Sequence, residues 1–279
     1  MQRLTFGTTT IDALSDGELT CPLLGMFPTA NAGEFQPLGG CDDGETLALP
    51  MLTFVIRTGR KTILVDTGVG PSLGSLGRSF GGTFGQLPSH LEEAAIDPQR
   101  VDAVVFTHLH ADHIGWNVID RDGEPVPLFP NAEYIVSRNE WAFWDTTKSR
   151  DIARCVRTIQ AAGQLREVDD GFEPVPGVQL LSTPGHTPGH CSILVTGGDA
   201  GCVITGDAAH HPAEFENPEL QPPYDSNPEQ ARASRKALGD RAEAEGLIVV
   251  GGHFPAPAAG TLVRVEGRRR WKWLGAQAG

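Results

Sequence analysis

Thr107-His108-Leu109-His110-Ala111-Asp112-His113 places three imidazoles and a carboxylate within six consecutive positions, 108 to 113. The run before it, Val101-Asp102-Ala103-Val104-Val105-Phe106, is short, β-branched and preceded by Pro98, which predicts a buried strand. The histidine-rich stretch is then the loop leaving that strand's carboxyl end, where open α/β sheets gather their sites. From an extended or turning backbone, His108 and His110 point one way and Asp112 and His113 another. Two groups of donors facing one gap suit two metal ions a few ångströms apart. Packing gains nothing from burying so many polar groups, and His/Asp clusters of this kind mark metal sites.

Other strands end in the same manner. Met51 to Ile56 and Lys61 to Val65 read as two strands joined by the turn Thr58-Gly59-Arg60. The second runs into Asp66-Thr67-Gly68, and Asp66 is expected to orient a metal-bound imidazole through its free N–H. Val178 to Leu181 leads into Ser182-Thr183-Pro184-Gly185-His186-Thr187-Pro188-Gly189-His190. Cys202 to Thr205 ends in Gly206-Asp207, and Leu247 to Val250 ends in Gly251-Gly252-His253. Four strands thus finish in a candidate ligand: the cluster from His108 to His113, then His186, Asp207 and His253. Small residues before each let the backbone turn sharply. Five of the nine histidines fall in this set, too many for chance.

The 279 residues suffice for one large domain or two small ones, and 39% hydrophobic with 20% charged residues is a globular composition. A net charge of -13 argues against nucleic acid as a partner, because such binding is driven by phosphate neutralisation. The local basic patch Arg268-Arg269-Arg270 beside Trp271 and Trp273 reads as a solvated turn. Cys21, Cys41, Cys155, Cys191 and Cys202 are odd in number and lack CxxC spacing, so free thiols in a reducing compartment are expected. Met1 to Phe6 has no apolar h-region, and no run approaches the ~18 apolar residues of a membrane span. No membrane association and a cytoplasmic location are the expectation.

Elsewhere the pattern is less regular. Residues 1 to 20 alternate polar and apolar, as a strand or hairpin does. Residues 21–50 are rich in Gly, Pro and Asp and show no periodicity, which predicts a long loop covering the site as a lid or serving a partner subunit. Residues 70 to 90, with Leu73, Leu76, Phe80 and Phe84, read as another flexible rim, and 208–226 as a third. Leu91 to Ala95 reads as a short helix, and Asp120 to Gly123 as a β-turn. Ser137 with Glu140 forms a capping-box pattern for a helix through Trp144. Asp151 to Ala162 repeats apolar residues at helical spacing, and Asn227-Pro228 caps a helix to about Glu245. Trp116, Trp141, Trp144, Phe80, Phe84 and Phe215 are the aromatic candidates for a substrate pocket.

The pieces Leu64 to Gly68, Thr107 to His113, Pro184 to His190, Thr205-Gly206-Asp207 and Gly252-His253 together resemble the metallo-β-lactamase superfamily, over nearly the whole stretch from Met51 to His253. The resemblance implies an α/β fold, an αβ/βα sandwich of two mixed sheets flanked by helices, with residues 1-279 as a single domain. It implies two metal ions per chain, usually zinc, with other divalent metals possible. His108, His110 and His186 would hold one, Asp112, His113 and His253 the other, and Asp207 would bridge them. The implied activity is a dinuclear zinc hydrolase of small molecules, in which a metal-bridging hydroxide cleaves aryl or carboxylic esters, lactones or organophosphate triesters. Asp112 would also orient that hydroxide and shuttle its proton.

Within the superfamily, the segment after Asp207, running through His210, His211 and Tyr224-Asp225, and the stretch Gly251-Gly252-His253-Phe254-Pro255 most resemble the methyl parathion hydrolase-like branch. Acyl-homoserine lactonases of this fold typically carry Tyr three residues after the bridging Asp, where this chain has His210. True β-lactamases lack an Asp at the Asp112 position. His210 and Trp144 are the candidate substrate contacts, and a homodimer is implied by the resemblance. Two alternatives stand beside the hydrolase: a mononuclear iron sulfur-dioxygenase of the same superfold, and a dedicated acyl-homoserine lactonase. A non-catalytic scaffold predicts missing ligands, and none is missing.

Overall fold

The computed structural model describes residues 3–71, 74, 76 and 80–275; Leu73, expected on the flexible rim, lies outside them. Sixteen strands are described. They are β1 (Leu4–Phe6), β2 (Thr9–Pro22), β3 (Thr46–Thr58), β4 (Lys61–Val65), β5 (Gly81–Phe84), β6 (Ala103–Val105), β7 (Val118–Arg121), β8 (Glu124–Pro127), β9 (Glu133–Ser137), β10 (Leu165–Val168), β11 (Val178–Ser182), β12 (Cys191–Gly197), β13 (Ala200–Ile204), β14 (Ile248–Val250), β15 (Ala259–Val265) and β16 (Arg268–Trp273). The first sheet runs β1-β2-β3-β4-β6-β9-β10, with β5 paired to β2; the second runs β11 to β16 in chain order. Both are mixed. β4, β6, β9 and β10 pair parallel in the first, and β13 and β14 in the second, while the other pairs are antiparallel.

Alternation along the central strands explains the layering. Phe54, Ile56, Ile63, Val65 and Val105 meet Leu180, Ile193, Cys202, Ile204 and Val250 in one core between the sheets. The intervening residues Val55, Leu64, Val104 and Tyr134 face the other way, against Leu91, Trp141, Val156 and Ile159 of the helical segments. Val203 and Val249 likewise face Leu238 and Ala242 of the helix Pro228–Glu245. Successive side chains of a strand point to opposite faces, so a strand buried on both sides needs apolar residues throughout. The result is the expected αβ/βα sandwich.

Several expectations are corrected. Residues 21–50 are not a structureless loop. They hold the end of β2, two short helices (Leu23–Met26 and Ala32–Phe35) and the start of β3. Phe27, Phe35, Leu47 and Leu49 are buried there in a core of their own. Helices of four residues are too short to show a 3.6-residue period, which is why the pattern reads as irregular. Ser137 stands at the helix start before Arg138–Asp145, but its side chain caps nothing; Glu140 turns inward instead and is fully buried. The helix at 151–162 begins as a wide turn, Ile152–Val156, before Arg157–Ala161. The helix expected at Leu91 spans Leu87–Glu93. Arg268 to Arg270 lie in β16, with Arg269 paired to Asp240 and Glu243 and Arg270 to Glu216, so they are not a solvated turn. Asn227 caps its helix as expected, accepting from the Gln230 N–H.

All five cysteines are free and buried. Among the described residues, no helix is long and apolar enough to cross a membrane.

Candidate metal centre

The carboxyl ends of β4, β6, β11, β13 and β14 meet at one edge of the sandwich. Each hands a polar side chain to the same buried spot. Asp66 follows β4, adopts a left-handed backbone (φ 57°), and accepts from the Thr107 N–H at 2.8 Å and the Thr107 hydroxyl at 2.7 Å. Asp tolerates that conformation better than most residues. Its Oδ2 also lies 2.8 Å from His113 Nδ1. Gly189 is required where the His186 loop crosses the helix Arg138–Asp145, because a Cβ there would stand 1.9 Å from the Glu140 nitrogen.

Two groups of donors result. His108, His110, His186 and Asp207 form one, and Asp112, His113 and His253 the other, with donor atoms in each lying within 4.8 Å of one another. Asp207 faces both. Its Oδ2 lies 3.7 Å from His108 Nε2 and 3.3 Å from His186 Nε2. Its Oδ1 lies 3.2 Å from His113 Nε2 and 3.1 Å from His253 Nε2. Asp112 Oδ2 stands 3.7 Å from His113 Nε2 and 3.8 Å from His253 Nε2.

Four of the rings have their outward nitrogen occupied. His113 Nδ1 donates to Asp66, His186 Nδ1 to Asp225 at 2.9 Å, and His253 Nδ1 to the Pro50 carbonyl at 3.0 Å. The Thr107 hydroxyl is spent on Asp66, so it accepts from His108 Nδ1 at 3.1 Å. On the rings that stay neutral, the inward nitrogens therefore present lone pairs. His108 Nε2 and His186 Nε2 both face His110 Nδ1, at 3.0 and 2.9 Å. One proton can bridge only one of those contacts, so a cation is the group that satisfies all three. Asp207 Oδ1 is buried with no hydrogen-bond partner.

Electrostatics point the same way. Burial, reinforced by neighbouring imidazoles, lowers His108 well below its ordinary value and His110 and His186 to about 3. Those rings stay neutral, with bare lone pairs. At His113 burial also lowers proton affinity, but Asp207, Asp66 and Asp112 outweigh it and raise the ring well above its usual range. Protons and metal cations compete for such nitrogens. The donor set, imidazole nitrogens with carboxylate oxygens, suits zinc and similar divalent ions.

Above this floor lies a cavity of about 230 Å³. His110, Asp112, His186, Asp207, His210 and His253 line its base, and Leu19, Met26, Leu49, Met51, Leu76 and Phe80 its wall, with Tyr224 beside them. Met26 and Leu49 come from the segment 21–50, and His210 and Tyr224 from 208–226. Of the six aromatic candidates only Phe80 lines the cavity. Trp141 is core, Phe215 packs on Phe254, and Trp116 donates its indole N–H to Asp16. Trp144 sets its ring edge-on to His110, 5.5 Å between centroids, and its indole N–H goes to Glu140. It touches a candidate ligand rather than the cavity.

Other buried groups escaped the sequence reading. Arg235, on the helix Pro228–Glu245, donates to the Ala208 and Leu220 carbonyls and pairs with Glu214 at 2.9 Å. Glu214 accepts from the backbone N–H groups of His210 and His211. Asp207 draws His210 to about 9 against the opposing effect of burial, and His210 Nε2 lies 3.1 Å from Asp207 Oδ2. His190, in the motif with His186, accepts the Asp207 N–H at 2.9 Å and stays outside the donor groups. An Arg inside a polar helix reads as solvated, so no sequence signal marks Arg235.

An αβ/βα sandwich carrying a candidate two-cation site on the carboxyl edges of its strands is the class that fold and geometry define. The chain belongs to the metallo-beta-lactamase superfamily, whose family model matches residues 49–253. It is 34% identical over 223 residues to an N-acyl homoserine lactonase of Bacillus sp, covering 75% of this chain and 83% of that protein. In structure it is similar to AidC, a dizinc quorum-quenching lactonase in complex with an acyl-homoserine product (TM-score 0.80, 21% identity, 99% of this chain and 98% of that one). It is also similar to AbOPH, a hydrolase of the beta lactamase superfamily (TM-score 0.81, 25% identity, 99% and 98%).

Proposed function

We propose that the chain is a two-zinc hydrolase of ester-type bonds whose substrates are N-acyl homoserine lactones. The observation that carries the reading is the ring of inward-facing nitrogens around Asp207, set at the base of a cavity with an apolar wall. His108, His110 and His186 would hold one cation, Asp112, His113 and His253 the other, and Asp207 would serve both. Bound there, the cations supply a nucleophile from water at neutral pH and polarise the acyl oxygen.

The remaining work falls to the chain. Asp112 is the least enclosed of the carboxylates at the floor, with 13% of its side chain exposed. It takes the proton from the attacking water as the new C–O bond forms and returns it to the leaving alkoxide oxygen as the lactone C–O bond breaks. Asp66 and Asp225 keep the proton of His113 and of His186 on the outward nitrogen, so the inward lone pairs stay available. His210, at the cavity base, meets the polar end of the substrate. Leu19, Met26, Leu49, Met51 and Phe80 receive the acyl chain and exclude water.

Similarity to lactonases supports the lactone, as does a wall that, among the described residues, is apolar. A second reading, phosphotriesters or aryl esters as for methyl parathion hydrolase-like proteins, is favoured by one observation: His210 stands where lactonases of this fold carry Tyr. Zinc-loaded enzyme assayed on acyl-homoserine lactones, aryl esters and phosphotriesters, alongside metal analysis, separates them. Two zinc ions per chain and highest kcat/KM on lactones are expected. Higher kcat/KM on phosphotriesters selects the second reading, and one iron per chain with no ester cleaved overturns both.

A further inference from the structure

The helix Arg138–Asp145 carries Glu140, whose carboxylate is fully buried yet pairs with no cationic side chain among the described residues. It accepts four hydrogen bonds instead. Oε1 takes the Leu109 N–H at 2.9 Å and the Trp144 indole N–H at 2.7 Å. Oε2 takes the Thr187 hydroxyl at 2.6 Å and the Gly189 N–H at 3.1 Å. Leu109 sits between His108 and His110, and Thr187 directly follows His186. One oxygen thus holds the loop that presents His108 and His110, and the other holds the loop that presents His186. Burying a carboxylate costs several kcal/mol unless its lone pairs are met, so its retention at this joint needs a reason beyond packing.

We infer that Glu140 is a positioning residue that locks these two loops in register, so that His108, His110 and His186 converge on a single cation. The inference rests on the two-cation reading above. It assigns Glu140 to one cation only, because His113 is held by Asp66 and His253 by the Pro50 carbonyl.

Glu140→Gln keeps the shape and tests the lock. Its amide oxygen can serve either Leu109 and Trp144 or Thr187 and Gly189, and its NH2 group then opposes a donor on the other side. One loop is released whichever way the amide turns. Orienting contacts of this kind are worth about 10- to 100-fold in metal affinity. In a chelator titration of the full chain followed by zinc analysis, E140Q is expected to lose one of two zinc ions at roughly 10- to 100-fold lower chelator concentration. The second ion should be retained as in the unchanged chain. Thr187→Val removes one of the four bonds with little change of volume, and should shift the same ion by a smaller factor. Thermal melting of the metal-free proteins reports folding independently, and T187V decides if E140Q does not fold. Equal loss of both ions, or a lower melting temperature with unchanged titration of both, overturns the inference while leaving the two-zinc reading intact. A parent chain that takes up no zinc overturns both.

Discussion

On the floor of the cavity, His113, His186 and His253 are each held by a hydrogen bond to a neighbouring element, whereas on its wall Leu19, Met26, Leu49 and Met51 are held by packing in a separate small core. The floor is built from strand ends and has almost no freedom: its donors converge within 4.8 Å in each group. The wall is gathered from β2, β3 and the short helix after β2, and apolar packing tolerates exchange of side chains of similar volume. Chemistry and selectivity are therefore carried by parts of different rigidity. Changes on the floor should alter the rate for every substrate, and changes on the wall should sort one substrate from another.

The sharpest break of that division is Asp207→Ala. It removes the one carboxylate facing both donor groups, and metal-assisted catalysis is worth several kcal/mol. At about 1.4 kcal/mol per decade, initial rates on any lactone should fall about 10³-fold or more, with both zinc ions lost on dialysis. A rate within tenfold of the parent would show that the floor does not work through Asp207.

A smaller effect is expected from Asp66→Asn. The amide keeps one acceptor oxygen, and its NH2 group opposes either the Thr107 N–H or the Thr107 hydroxyl and His113, so zinc affinity should drop about 10- to 100-fold, read by chelator competition. Addition of excess zinc should restore most of the rate, because Asp66 touches no substrate.

Phe80→Ala gives the smallest change and the most selective one. Losing apolar contact on the wall is worth about 1–3 kcal/mol for a group that reaches it. The kcat/KM for a long-chain acyl lactone should fall about 10-fold while a short-chain one changes little. An equal loss for both chain lengths would place Phe80 in support of the floor instead.

The chemistry-bearing residues were legible because each follows a strand whose alternation or β-branched run is visible, and because glycine marks the turn at Asp66, His186, Asp207 and His253. Thr107 to His113, Pro184 to His190 and Gly252-His253 are short local patterns, and the structure brings together every donor that they contain except His190. Asp66 was legible for the same reason. The capping-box reading of Ser137 and Glu140 failed because burial outweighed local propensity: three donors from distant segments and Trp144 of the same helix claim that carboxylate. The aromatic residues misled in the same way, since Trp116 and Trp141 are recruited by cores that only the folded chain creates.

The strands that lead into the site, the ends that bear polar residues, and the donor types of the metal floor follow from local periodicity and chemistry, which act over a few residues and can be read along the chain. The folding of 21–50 into a core, the lock at Glu140, the buried Arg235 pair and the composition of the cavity wall were decided by tertiary structure. Each joins segments tens to hundreds of residues apart, and the burial that gives a carboxylate or guanidinium its partner exists only after those segments pack.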